Sequence, residues 1–165
     1  MSRRNLLIPA GIAALGIAAG ILAERVIVGR QVRYDPDAEE DFGALRGQTV
    51  TVIADDGVGL HVEIDDFRAP SVSDDLTVIF SHGYSLNQDS WHFQRRDLRP
   101  FARLVFADQR AHGKSKKGDR TRSNVDQLGF DLGRIVDEVG GDGPIILVGH
   151  SMGGMSVMAL AAHRP

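Results

Sequence analysis

One short stretch constrains this chain more than any other: Gly149-His150-Ser151-Met152-Gly153-Gly154. Before it runs "PIILVGH" (Pro144–His150), apolar and rich in β-branched residues, as a strand covered on both faces would be. After it runs "MGGMSVMALAAH", apolar nearly all round, which predicts a buried helix. A strand that turns into a helix within two or three residues leaves its turning residue in a strained conformation with its side chain exposed. Glycines on either side of that residue remove side chains that would collide in the turn. The exposed side chain here is the Ser151 hydroxyl. The start of the helix adds unpaired N–H groups and a positive dipole end beside it.

The rest of the pattern is consistent with a sheet behind that turn. "TVTVIA" (Thr49–Ala54), the turn signal "DDGVG" and "LHVEID" (Leu60–Asp65) read as a hairpin at a sheet edge. "LTVIF" (Leu76–Phe80) and "ARLVFAD" (Ala102–Asp108) read as buried strands. A short helix is expected over Asn87–Arg99. A second, over 124–140, carries one apolar stripe: Val125, Leu128, Leu132, Ile135, Val136 and Val139. Ser123 or Asn124 can cap its start, and Gly140-Gly141 can end it. Antiparallel strands leading into alternating strands and helices predict an α/β fold, its sheet mostly parallel with an antiparallel N-terminal hairpin.

The N-terminus follows a different rule. Leu6–Leu22 is seventeen residues without a charge, preceded by Arg3 and Arg4. As a helix it would be about 25 Å long, close to a hydrocarbon core. Residues 1–30 are therefore read as a signal-anchor or transmembrane segment, with a cleaved secretory signal as the alternative, since no clean cleavage site follows. Gly16 and Gly20 form one GxxxG, a weak signal in so glycine-rich a run. The N-terminal charges favour N-terminus inside and domain outside, while Arg25, Arg30 and Arg33 oppose it. Residues 31–47, polar and acidic, read as a linker, which leaves 48–165 for the folded domain. A net charge of −3 gives no footprint for nucleic acid, and the absence of cysteine excludes disulfides and thiolate chemistry. No histidine pair has ligand spacing, so neither a metal nor a cofactor is expected.

Two further loops lie where strands end. Ser81-His82-Gly83-Tyr84 follows the first buried strand, and Gly83 permits close backbone approach there. A backbone N–H from this loop, with that of Met152, would make a two-donor site for a developing oxyanion. The loop "DQRAHGKS" (Asp108–Ser115) follows the next strand, with Asp108 and Arg110 placed to pair and hold it.

With H-G-Y at 82–84, D-x-R-x-H-G-x-S at 108–115 and G-H-S-M-G-G at 149–154, the chain resembles the N-terminal half of an α/β-hydrolase. The resemblance is to the lipase, esterase and peroxidase-like group and runs from Thr49 to Pro165. It implies Ser151 as nucleophile and the N–H groups of Tyr84 and Met152 as oxyanion donors. His82, Gly83, Gly149, His150 and Gly153 would shape the site, and Asp108, Arg110 and His112 would order a loop beside it. Ala111 departs from the glycine that many members carry. A serine at 151 argues against the branches that use aspartate.

Such a nucleophile needs a base and an acid to orient it, which in this family follow the serine in the chain. None of the six histidines suits the role. His163 is about 18 Å along the same helix. His150 should point away, His61 lies in the hairpin, and His92 on a surface helix. His82 and His112 sit at the correct end of the sheet but read as loop-ordering residues. The chain is therefore expected to be a truncated hydrolase with an open apolar edge at its last strand. The expected substrate is a small or lipid-like acyl ester, with the membrane as a second partner through the N-terminal helix. An inactive membrane-anchored interaction module, or perhydrolase or carbon–carbon hydrolase chemistry on the same fold, are the alternatives.

Overall fold

β-Branched and apolar residues at strand length do form strands here, and the sheet they build decides which loops meet. The computed structural model describes residues 40–67 and 76–164. The segment expected to enter a membrane, 1–30, lies outside the described residues. Among the described residues no helix is long and apolar enough to cross a membrane.

β1 (Gln48–Ile53) and β2 (Gly59–Asp65) form the expected antiparallel hairpin, with Val50 opposite Val62. Gly57 turns it at a φ of 82°, which a side chain would strain. β3 (Thr77–Ser81) is buried at every residue, and β4 (Arg103–Ala107) at all but its first. β5 (Ile145–Gly149) completes a five-stranded sheet of order β1-β2-β4-β3-β5. β2 runs antiparallel to β4, whereas β3 runs parallel to both β4 and β5. The chain therefore leaves β3 for a neighbour on one side and returns from β4 to the other. Such a reversal of strand order opens a crevice at the carboxyl ends of β3 and β5.

Each face of the sheet has its own core. Val52, Leu60, Val62, Ile79 and Val105 meet Leu132, Ile135 and Leu160 of the helices α2 (Val125–Val139) and α3 (Met152–His163). The helices touch closely, since a Cβ on Gly129 would lie 2.7 Å from that of Ala159. On the other face Phe80 and Phe106, paired across β3 and β4, stack at 4.8 Å with Trp91 beside Phe80. Asn124 caps α2 by accepting the Gln127 N–H, one of the two caps expected.

Three expectations need correction. The helix expected over Asn87–Arg99 divides into a 3₁₀ turn, Gln88–Trp91, and α1, His92–Leu98. Asn87 accepts the N–H of Asp89, only two residues on, and this local bond tightens the first turn. His92 is buried, its Nδ1 accepting the Gly43 N–H, because α1 presents that face to the sequence before β1. The all-apolar helix α3 is only half covered: Gly153, Ser156, Ala159 and Leu160 are buried, while Met158 is 66% exposed. β5 is likewise half-exposed, and among the described residues it pairs with β3 alone.

Beneath α1 lies a charged cluster without a signature in the sequence. Arg95 makes a two-pronged contact with Asp65 at 2.7 and 2.8 Å and reaches Glu63 at 2.9 Å. Arg99 adds a bond to Asp65, and Gln88 donates to Glu63. Burial pushes the Glu63 carboxyl up, but the hydrogen bond and charge of Arg95 outweigh it and hold the group below its ordinary value. These bonds attach α1 to β2, and so fix the loop that leaves β3.

Candidate active site

Register brings the site together. Ser81, the last residue of β3, pairs with Gly149, the last of β5, so both chains leave the sheet side by side. The His150 N–H donates to the Ser81 carbonyl at 3.0 Å, extending the contact by one residue past the strands. Ser151 then sits at φ 52°, ψ −116°, a conformation that non-glycine residues adopt only when their surroundings impose it. Its side chain is exposed, as expected, and α3 begins at the next residue.

Both expected glycines are required by space. A Cβ on Gly153 would lie 2.0 Å from the Ser81 carbonyl oxygen and 2.7 Å from that of His82. On Gly149 it would meet the backbone of Gly153 and Gly154 at 2.5 Å. The start of α3 therefore rests directly on the end of β3, backbone against backbone. The same holds across the crevice, where a Cβ on Gly83 would come within 2.7 Å of the His150 ring. His150 thus lies over the Gly83 loop rather than away from it.

The loop after β3 turns sharply. The Leu86 N–H donates to the Gly83 carbonyl, and Ser85 adopts a φ of 59°. Neither the Tyr84 nor the Met152 N–H donates to an acceptor among the described residues. These two unspent backbone donors and the exposed Ser151 all lie within about three residues of the paired ends of β3 and β5. Among the described residues no histidine is hydrogen-bonded to the Ser151 Oγ, and no group of candidate metal ligands occurs.

The expected Asp108–Arg110 pair does not form. Asp108 instead accepts the N–H groups of Gln88 and Lys114, each at 2.8 Å, tying together the loops after β3 and β4. Gly113 is needed there, because a Cβ would overlap the Asp108 carboxylate at 2.2 Å. Arg110 turns to Asp131 of α2 and to Asp56 of the hairpin turn. The hydrogen bond that Arg110 donates to Asp131 is the largest influence raising its pKa, so it stays a fixed cation. Ala111 occupies a left-handed conformation, φ 63°, that glycine would adopt without strain. His112 donates from Nδ1 to the Arg110 carbonyl at 3.0 Å, and its ring meets the Tyr84 ring edge-on at 5.6 Å. An open cleft of about 540 Å³ lies between these loops and α2, lined chiefly by Tyr84, His112, Val125, Leu128 and Met152. Met152, the residue after Ser151, is the part of the elbow that lines it.

Sequence reasoning missed Gln109 and Ser156. Gln109 is buried and donates from its side chain to the His82 carbonyl, while Ser156 of α3 reaches the Gln109 side-chain oxygen at 3.3 Å. Gln109 stands inside the D-x-R stretch and Ser156 inside an apolar helix, so a polar residue among buried positions was the only available signal.

Residues 78–164 match the description "Alpha/beta hydrolase family". Human protein phosphatase methylesterase 1 is 30% identical over 141 residues, which is 82% of this chain and 36% of that protein. Epoxide hydrolase 1 of Caenorhabditis elegans is 32% identical over 95 residues, or 56% of this chain and 23% of that one. Among solved structures, a thermophilic esterase from Thermogutta terrifontis superposes with a TM-score of 0.57 at 27% identity, covering 70% of this chain and 41% of its own. The chain spans about a third of the length of the curated relatives it matches first.

Proposed function

The chain belongs to the α/β-hydrolase family, and from that premise we propose that it carries the nucleophile and oxyanion-binding part of a serine esterase. The carrying observation is Ser151, exposed at a strained strand-to-helix turn with the unspent N–H groups of Tyr84 and Met152 at the neighbouring strand ends.

In this reading the Ser151 oxygen attacks an ester carbonyl and forms an acyl-serine with loss of the alcohol. Water then hydrolyses the acyl-enzyme. The Tyr84 and Met152 N–H groups receive the negative charge that develops on the carbonyl oxygen at each step. Because they are held by the sheet and the helix start, little reorganisation is needed. The apolar cleft beside Met152 takes an uncharged group of the substrate. Ester chemistry is carried over from the names of two similar proteins, a methylesterase and an esterase. A serine nucleophile needs a base, and the reading requires one from outside the described residues. The apolar segment Leu6–Leu22 is read as a membrane anchor that holds the domain on the outer side.

A fluorophosphonate probe tests the chemistry. It should modify Ser151 of the full-length protein, and Ser151→Ala should abolish the modification. A folded protein that never reacts at Ser151 overturns the proposal. Extraction of membranes with alkaline carbonate tests the anchor, since an anchored protein stays in the pellet.

A further inference from the structure

His82 is wholly buried, lies next to the crevice, and has no part in the chemistry described so far. Its two nitrogens have partners of opposite kind. Nε2 stands 3.0 Å from the backbone N–H of Gln109, a group that can only donate. Nδ1 stands 2.8 Å from the Gly83 carbonyl, which can only accept. The neighbours thereby dictate the tautomer: the proton is on Nδ1, and Nε2 is bare.

The Gly83 carbonyl shares a peptide plane with the Tyr84 N–H. In a trans peptide the two point in opposite directions. The His82 bond, shorter than the 3.2 Å bond that the Leu86 N–H makes to the same carbonyl, therefore helps direct the Tyr84 N–H to the other side. If that plane turned over, the carbonyl oxygen would take the place of the donor, and the buried His82 Nδ1–H would lose its acceptor.

Resting on the serine-esterase reading above, we propose that His82, as the neutral Nδ1–H tautomer, is the positioning residue that orients the Gly83–Tyr84 peptide for oxyanion binding. Gln109 supports it twice. Its backbone N–H fixes the bare nitrogen, and its side-chain amide holds the His82 carbonyl. Ser156 of α3 lies 3.3 Å from the oxygen of that amide, its hydroxyl proton shared with the closer Met152 carbonyl at 3.0 Å. Burial is the largest influence on the ring and holds its pKa below the ordinary 6.5, while the Gly83 carbonyl and Asp108 act in the opposite direction. The ring accordingly takes up a second proton only at lower pH than an exposed histidine does. A second proton on Nε2 would face the Gln109 N–H and break the arrangement.

Two isosteric substitutions separate positioning from bulk. His82→Asn places an amide donor near the Nδ1 position, and His82→Gln places its amide near Nε2 instead. On an ester turned over by the full-length protein, His82→Gln should lower kcat about thirtyfold with KM within about threefold, part of the loss that follows removal of a whole oxyanion donor. His82→Asn should stay within about fivefold of wild type. Equal losses in the two variants, or a loss confined to KM, overturn the proposal. Proton–nitrogen NMR of the wild-type histidine rings gives a readout that needs no turnover and no stable variant. The buried ring should show a protonated Nδ1 and an unprotonated Nε2 at about pH 7.5, above the ordinary histidine value. The reverse tautomer, or a doubly protonated ring, overturns it. If Ser151 fails to react with fluorophosphonate while the NMR result stands, the esterase reading has failed and the tautomer has not.

Discussion

Two adjacent glycines at the start of α3 should respond to the same substitution with opposite signs. Gly153→Ala adds a methyl group 2.0 Å from the Ser81 carbonyl oxygen, 2.5 Å from its carbon and 2.7 Å from the His82 carbonyl oxygen. An ordinary contact at these positions is about 3.4 Å or more. The helix start would have to move more than 1 Å off the end of β3, and every obstructing atom is backbone, so no rotamer change relieves it. Overpacking in cores costs about 1–3 kcal/mol, and a backbone obstruction lies at the upper end, near 3 kcal/mol. Gly154→Ala meets nothing closer than 3.5 Å. There the gain in helix propensity, up to about 1 kcal/mol, should appear nearly intact. The expected gap between two neighbouring Gly→Ala variants is therefore about 3–4 kcal/mol. Urea denaturation of each variant reads it. With a slope of about 2 kcal/mol/M, the two midpoints should differ by about 1.5–2 M. Gly153→Ala should also slow fluorophosphonate labelling, because displacing α3 moves the Met152 N–H away from Tyr84. A Gly153→Ala midpoint within 0.3 M of wild type would refute the claim that backbone-to-backbone contact positions the turn.

Other predictions use the same reasoning. Ser151→Gly should stabilise the fold by about 1 kcal/mol, because glycine tolerates φ 52°, whereas Ser151→Ala keeps the strain and should change the urea midpoint little. Arg95→Met should cost about 3–5 kcal/mol in the same assay, because it removes the buried cation shared by the Glu63 and Asp65 carboxylates, leaving Asp65 to Arg99 and Glu63 to weaker partners such as Gln88. Stability should fall as pH drops below 6.5: His82 is held neutral in the fold, so the unfolded chain binds the additional proton. Below pH 4.5 the loss should steepen, since the depressed Glu63 pKa contributes stability only above its ordinary value and that contribution disappears on acidification. His82→Asn should flatten the first of these two slopes and leave the second, measured as urea midpoints between pH 7 and 4.

Much of the molecule was legible in the sequence because it depends on short-range rules. Period-two alternation and β-branched runs placed all five strands to within a residue or two. The stripe from Val125 to Val139 placed α2, and Asn124 marked its start. The elbow at Ser151 could be read from the glycines because its strain is local to the turn. The all-apolar reading of α3 failed for a related reason. Composition reports how much apolar surface a helix offers, but coverage depends on what stands opposite, and Met155 and Met158 stay 45% and 66% exposed.

The sequence by itself determined the elements, the serine and the two loops that should flank it. It could not determine that Arg110 turns to Asp131 and Asp56, that His92 is buried, or that Gln109 joins α3 to the His82 loop. Those bonds link residues 21 to 54 positions apart, and their formation depends on strand order. Tertiary structure placed β3 between β4 and β5 and matched Ser81 with Gly149. That register releases the loops carrying Tyr84 and Met152 side by side, because parallel neighbours release their chains at the same level of the sheet. The strained turn at Ser151 is thus legible in the sequence, and which loops leave the sheet beside it is a property of the register.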